Sequence, residues 1–326
     1  MEKMEKGSES TKKESVPGKL NIALAVFATS LALTMLWLAS HTTSILIFVP
    51  AVIVFALINN TIFSLLHEAV HGIFHENLAL NEAAGRILAG FFPTGFTLQR
   101  IAHLGHHRRN RTDAEIFDYY QPGDNLFVKY FQWYGLLTGI YWLLLPISCL
   151  TFLFTPGWLI KRLIAWSKTS DVAFQASVEG MLSGYENANF MKIKAEILLS
   201  IFIQAAIIYG LGLNFWGWAA CYAVFAFTWS SLQYTDHAFS ERDVYDGAWN
   251  LRVNPVIQTI FLNYHHHRVH HQHPTIPWTN LERYIDENEF RPTFMKIYLK
   301  MWAGPRPVPK TKDAAPDILP VGAADR

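Results

Sequence analysis

Residues 43–71 read TSILIFVPAVIVFALINNTIFSLLHEAVH. From Thr43 to Leu66 the run is apolar, with Asn59 and Asn60 as polar interruptions near its end. It exceeds the roughly 20 residues that a membrane-spanning helix needs. His67 and His71 follow, four residues apart, so on a continuing helix they share one face. Neutral imidazole is the commonest metal ligand. The stretch thus joins a membrane crossing to a pair of metal-type side chains on a rigid base. His75 continues the same row one turn on. Because a helix advances about 1.5 Å per residue, three such residues rarely reach one site, and His75 is expected to stay outside it.

Working outward, all but His41 of the fourteen histidines lie beside the ends of apolar stretches. The second cluster is His103-Leu-Gly-His106-His107 and the third His267-Arg-Val-His270-His271. A spacing of three puts His103 with His106, and His267 with His270, on one helical face. The adjacent His107 and His271 project about 100° away. Such a pattern can address two metals or clasp one cluster from two directions. Any single cluster could be polar interfacial residues, but the spacing recurs far apart in the chain, which argues for a polynuclear metal site. His265, His266 and His273 crowd the third cluster. His267, His270 and His271 are preferred because they repeat the spacing of the second. His237 stands alone in Gln233-Tyr-Thr-Asp-His237, level with the clusters. Gln233, one turn earlier, can approach a metal through water, and Asp236 can orient a ligand imidazole.

The composition suits a membrane protein. It is 51% hydrophobic and only 16% charged, against about a quarter charged in an ordinary soluble domain. A net charge of +1 argues against a nucleic-acid surface. Cys149 and Cys221 both sit in apolar runs and offer no thiolate site. Any metal is therefore held by nitrogen and oxygen. Residues 1–19 read as a disordered cytosolic tail, 20–302 as the membrane domain, and 303–326 as a second tail.

Five apolar segments occur: Leu20–Ser40, Thr43–Leu66, Phe131–Thr155, Ala195–Leu213 and Phe215–Gln233. If all crossed, His237 and the third cluster would face the opposite side from the first two. Phe131–Thr155 is the segment expected to fail, because Pro146 removes a helix hydrogen bond at its middle. The loop after it carries Lys161, Arg162, Lys168, Lys192 and Lys194, and positive loops favour the cytoplasm. The expected fold is an all-α integral membrane protein with four transmembrane helices. Membrane-embedded or interfacial helices and a cytosolic histidine-rich cap complete it.

The three boxes, His67-x3-His71, His103-x2-His106-His107 and His267-x2-His270-His271, resemble those of the membrane fatty-acid desaturase and hydroxylase superfamily. The resemblance covers about residues 20–300 and extends to His237 and to Asn263-Tyr264. It implies a non-haem di-iron centre that uses dioxygen and two external electrons to attack a C–H bond of a lipid chain. By position, it implies as ligands His67, His71, His103, His106, His107, His237, His267, His270 and His271. It also implies a metal-bound water held by Gln233. Glu68, Asp113, Glu115 and Asp236 are the acids able to offset the charge. Phe91-Phe92-Pro93, Trp229 and Trp278 are candidates for lining a lipid tunnel, or equally for packing. No haem-attachment motif, ferredoxin cysteine cluster or nucleotide loop is evident, so a separate ferredoxin, cytochrome b5 or reductase is the expected electron donor. Arg108, Arg109, Arg111, Lys161 and Arg162 either dock an acidic carrier or follow the positive-inside tendency.

Rival readings exist. His67-Glu68-Ala-Val-His71 also spells the zinc-protease signature, with Glu68 as general base, but that leaves two boxes unexplained. A metal transporter would place ligands within its crossings, where this chain has few. Within the oxidase class, a lipid hydroxylase or ketolase uses the same boxes. Desaturation is favoured because the terminal-hydroxylase form of box three carries Glu-His after Asn-Tyr, where this chain has His265-His266-His267.

Overall fold

The computed structural model describes residues 14–167, 183–309 and 317–320. Among the described residues, the regular structure is helical apart from one pair of two-residue strands. Helices α1 (Gly18–His41) and α2 (Ile45–Val70) form a hairpin, followed by α3 (Leu78–Phe91) and α4 (Phe96–Arg109). Next come α5 (Leu126–Thr138), α6 (Ile140–Phe154) and α7 (Gly157–Ser167). A second hairpin pairs α8 (Phe190–Gly210) with α9 (Phe215–Thr235), and three short helices finish the chain: α10 (Pro255–Ile260), α11 (His267–Gln272) and α12 (Phe294–Met301). Strand β1 (Tyr119–Tyr120) pairs in parallel with β2 (Arg306–Pro307).

Local chemistry sets several of these starts. The side chains of Asn77, Asn125, Asn189 and Asn214 each accept a backbone N–H in the first turn of α3, α5, α8 and α9, satisfying donors that a helix start leaves open. Asn254 does the same for α10, where Pro255 occupies the first helical position.

Three helices, α1, α2 and α8, are long and apolar enough to cross a membrane, and the bent pair α5–α6 raises the number to four if counted as one span. Helix α9 has 21 residues, but Trp216, Trp218, Tyr222 and Trp229 lower its hydropathy, and it is not among them. Large apolar side chains point outward: Leu46 is 82% exposed, Phe154 79% and Phe202 69%. Exposure on that scale needs a lipid or protein partner.

The segment expected to fail as a straight crossing is indeed broken, with α5 and α6 bent by 98°. The break is not at Pro146, which sits inside α6. It is at Gly139, whose φ is +86°, and a Cβ there would stand 2.8 Å from the backbone nitrogen of Phe227. Glycine satisfies both demands, a left-handed conformation and a close approach to α9.

Helix α2 is the centre of the core, packed against α1, α3 and α9. Beneath its histidines, Phe63 meets Phe92 at 4.8 Å and Trp229 at 5.4 Å between ring centroids. Phe92 is fully buried and Trp229 nearly so; both belong to this aromatic packing. Parts of the expected tails also join the body. Lys19 lies in α1, and the Glu14 carboxylate accepts hydrogen bonds from Asn280 and Tyr284. At the other end Arg306 N–H donates to the Asp118 carbonyl and Leu319 N–H to that of Arg108. The rest of both tails, and Lys168 in the basic loop, lie outside the described residues.

Candidate metal centre

Helix α2 ends at Val70, and Gly72, at φ +77°, turns the chain out of helix, a common helix ending. His67 and His71 therefore sit on the final turn, as expected. His75 does not continue their row: the helix has stopped, and its Nδ1 instead accepts the Asn77 N–H.

The second and third boxes divide differently from the expected i, i+3 pairing. On α4, His103 and His107 act together, four apart, while His106 turns to another set. On α11, His267 and His271 act together and His270 separates. The nine nitrogens gather into two groups: His67, His71, His103, His107 and His270 in one, and His106, His237, His267 and His271 in the other. Within each group the ligand-type atoms all lie within 4.8 Å of one another.

Several contacts are closer. His103 Nε2 is 2.8 Å from His71 Nε2 and 3.1 Å from His107 Nε2, which is 3.0 Å from His270 Nε2. In the second group His106 Nε2 and His237 Nε2 are 3.1 Å apart. Two nitrogens about 2.1 Å from one ion and at right angles to each other would lie about 3 Å apart. The side chains also leave open valences: His67 Nε2, His267 Nδ1 and both nitrogens of His271 are buried without a hydrogen-bond partner. Buried polar atoms rarely stay unpaired, so the residues fit a bound cation at each group. All nine donors are imidazole, a ligand that suits iron, zinc, copper and nickel.

Electrostatics keep the rings in the metal-binding form. Burial holds His71, His103, His107, His237, His270 and His271 well below the ordinary imidazole range, with help from neighbouring histidines, and lowers His267 to about 3. Around the four-histidine group, backbone and carboxylate acceptors fix which nitrogen faces inward. His106 Nδ1 lies 2.6 Å from Glu115 Oε1, and His237 Nδ1 lies 3.0 Å from the Gly247 carbonyl. Each ring donating from Nδ1 leaves its Nε2 lone pair for a metal. Burial works to raise the Glu115 carboxyl, but the His106 ring and the Arg109 guanidinium outweigh it and hold it low. Asp236 is fully buried with no hydrogen bond to its carboxylate, 3.5 Å from His267 Nδ1. Burial pushes its carboxyl well above the usual range, a penalty that a nearby cation relieves.

The remaining sequence candidates fall elsewhere. The Gln233 Oε1 accepts from the Tyr264 hydroxyl at 3.1 Å, and its buried Nε2 has no partner. Glu68 stands in neither group and accepts the Trp278 N–H, while the Trp278 indole donates to Asn21. Asp113 pairs with Arg242 near the surface. His265 and His266 are buried beside the centre without joining either group, and His273 packs on Tyr284. Arg108, Arg109 and Arg111 were candidates for an exposed docking face, but all three are buried. Gly247 was missed, since only the fold brings its carbonyl to His237.

No curated protein matches the chain. A family model described as fatty acid desaturase matches residues 43–304, a span that holds all three boxes and His237. The chain belongs to the fatty acid desaturase family.

Proposed function

We propose that this protein is a membrane-bound di-iron oxidase that uses dioxygen and two electrons to desaturate a lipid chain, in the simplest case a fatty acyl chain. The observation that supports it best is the division of nine imidazoles into a group of five and a group of four, with His67 and His71 at the end of apolar α2 and His237 just past α9. Desaturation balances as one CH2–CH2 unit, one dioxygen, two electrons and two protons giving one CH=CH unit and two waters. Iron in both groups supplies the redox chemistry for dioxygen activation that side chains lack.

The chain's own residues hold and shape that centre. His67, His71, His103, His107 and His270 ligate one ion, and His106, His237, His267 and His271 the other. Glu115 and Gly247 keep the Nδ1 protons of His106 and His237 in place, so that Nε2 faces the ion. Asp236 offsets charge beside His267, and the Gln233 amide, one turn before His237, holds a metal-bound water. Phe63, Phe92 and Trp229 exclude bulk water from below. The protein crosses the membrane four times, through α1, α2, α8 and α9, with the α5–α6 pair embedded rather than crossing. That count puts every box on one face, the cytosolic face by the charge of the loops. Residues 20–302 form the catalytic domain, and electrons arrive from a separate ferredoxin, cytochrome b5 or reductase.

Lipid profiling of cells with and without the protein tests the reaction. A loss of two hydrogens in a lipid is expected; a gain of one oxygen would make the enzyme a hydroxylase. Metal analysis of the purified chain is expected to give two irons, and one zinc would overturn the reading. A cysteine-accessibility probe at Ser170 is expected to report the cytoplasm.

A further inference from the structure

We propose that Arg100 and Arg111 are positioning residues, each setting the geometry of one of the two histidine groups independently of the other. The inference rests on the two-metal reading above and adds what holds each ion's ligands in register.

Arg100 lies on α4, one turn before His103. Its Nε donates to the Val70 carbonyl at 3.1 Å and its Nη2 to the Ala69 carbonyl at 3.0 Å, while Nη1 pairs with Glu82 Oε1 at 2.6 Å. These carbonyls are the last of α2, between His67 and His71. A cation there satisfies helix-end acceptors and complements the negative end of the helix dipole. The guanidinium therefore fixes α4 against α2, and with it the offset between the His67–His71 and His103–His107 pairs of the five-histidine group. A lysine could not span two carbonyls and a carboxylate from one planar fork.

Arg111 follows the same box but faces the other way. It is fully buried, and its backbone φ is +59°. Its Nη1 donates to Asp118 Oδ1 at 2.7 Å and to the Tyr234 hydroxyl at 3.2 Å, Nη2 to the Ser240 carbonyl at 3.0 Å and Nε to that of Glu241 at 3.3 Å. The Tyr234 hydroxyl donates to Asp118 at 2.8 Å, and Asp118 also accepts the Phe239 N–H at 2.6 Å. This network ties the loop holding Glu115, the partner of His106, to the segment from Tyr234 to Glu241 that contains His237. Its hydrogen bonds reach residues that flank His106 and His237, both in the four-histidine group. A fully buried charge pair in which all three guanidinium nitrogens donate is costly to break from one side, so the network holds one geometry rather than several.

The test uses the full chain in lipid nanodiscs, loaded anaerobically with ferrous iron. Iron per chain is read by elemental analysis and the two environments by Mössbauer spectroscopy, with His107→Ala and His237→Ala marking the five- and four-histidine signals. Arg100→Gln is expected to lose the signal that His107→Ala loses and keep about one iron. Arg111→Gln is expected to lose the signal that His237→Ala loses. Since Arg111→Gln disturbs a buried charge, Tyr234→Phe provides a milder variant, expected to weaken iron at the four-histidine group about tenfold in chelator competition, the scale of a lost outer contact. The proposal fails if Arg100→Gln and Tyr234→Phe keep both irons with wild-type spectra and affinities, or if both lose the same iron. A wild-type chain that holds fewer than two irons would overturn the two-metal reading itself, and this proposal with it.

Discussion

The two histidine groups are built by different means. In the five-histidine group, four of the rings come from the ends of two helices: His67 and His71 close α2, and His103 and His107 lie on α4. In the four-histidine group, His237 follows α9, His267 and His271 lie on the six-residue α11, and His106 turns in from α4. The first group gains its order from long helices. The second gains it from acceptors, with Glu115 and the Gly247 carbonyl on its rings and Asp236 beside them. The negative groups near the nine imidazoles thus lie on one side, beside the four-histidine group.

The strongest way to break this contrast is to remove a ligand from each group. His270→Ala and His106→Ala are each expected to abolish lipid oxidation while the protein stays inserted, read by lipid mass spectrometry and membrane fractionation. A variant that kept wild-type turnover and iron would remove that residue from the ligand set. Acid should act on both groups together. The buried rings, with His267 at about 3, are neutral in the folded protein, whereas an unfolded chain takes up protons below about 6.5. The unfolded state then binds more protons, so stability is full above about pH 6.5 and falls as the pH drops toward 3. Iron retention measured between pH 7.5 and 5 is expected to fall in the same direction, and a flat profile would contradict it.

The carboxylates separate the groups more finely. Glu115→Gln is expected to weaken iron in the four-histidine group by about ten- to a hundredfold, as loss of an outer-shell partner does, with the five-histidine group unchanged. Equal weakening of both groups would erase the contrast. Smaller still, and away from the metals, Gly139→Ala is expected to cost about 1–3 kcal/mol, since alanine strains at positive φ and its Cβ meets the Phe227 backbone. A thermal melt in detergent reads it, and an unchanged midpoint would show that the α5–α6 bend is not fixed there.

Much of the site was legible because metal-ligand spacing is a local property. The boxes, the lone His237, and the expectation that Phe131–Thr155 would not run straight all came from residue order. The sorting of rings between groups did not, because His103 can pair with His106 or His107 on an ideal helix and only the position of α2 decides. The break at Gly139 was hidden for a related reason. Proline announces a missing hydrogen bond in the sequence, whereas a close approach to α9 is known only once α9 is in place. Arg108, Arg109 and Arg111 read as cations for docking an acidic carrier or for the positive-inside tendency, yet folding buried them. Arg109 pairs with Glu115, and the partners of Arg111 include the carbonyls of residues 240 and 241, on a segment that no spacing rule connects to it.

The short parallel pairing of Tyr119–Tyr120 with Arg306–Pro307 sets an order of events during synthesis. The first two boxes leave the ribosome more than a hundred residues before the third, and the strand that secures the Asp118 loop comes later still. The apolar hairpin of α1 and α2 is therefore complete early, while the hydrogen bond from Arg306 to Asp118 can form only once the last segment is present. A nascent chain stalled before Arg306 is then expected to carry all three boxes but to lack the contact that secures the Asp118 loop.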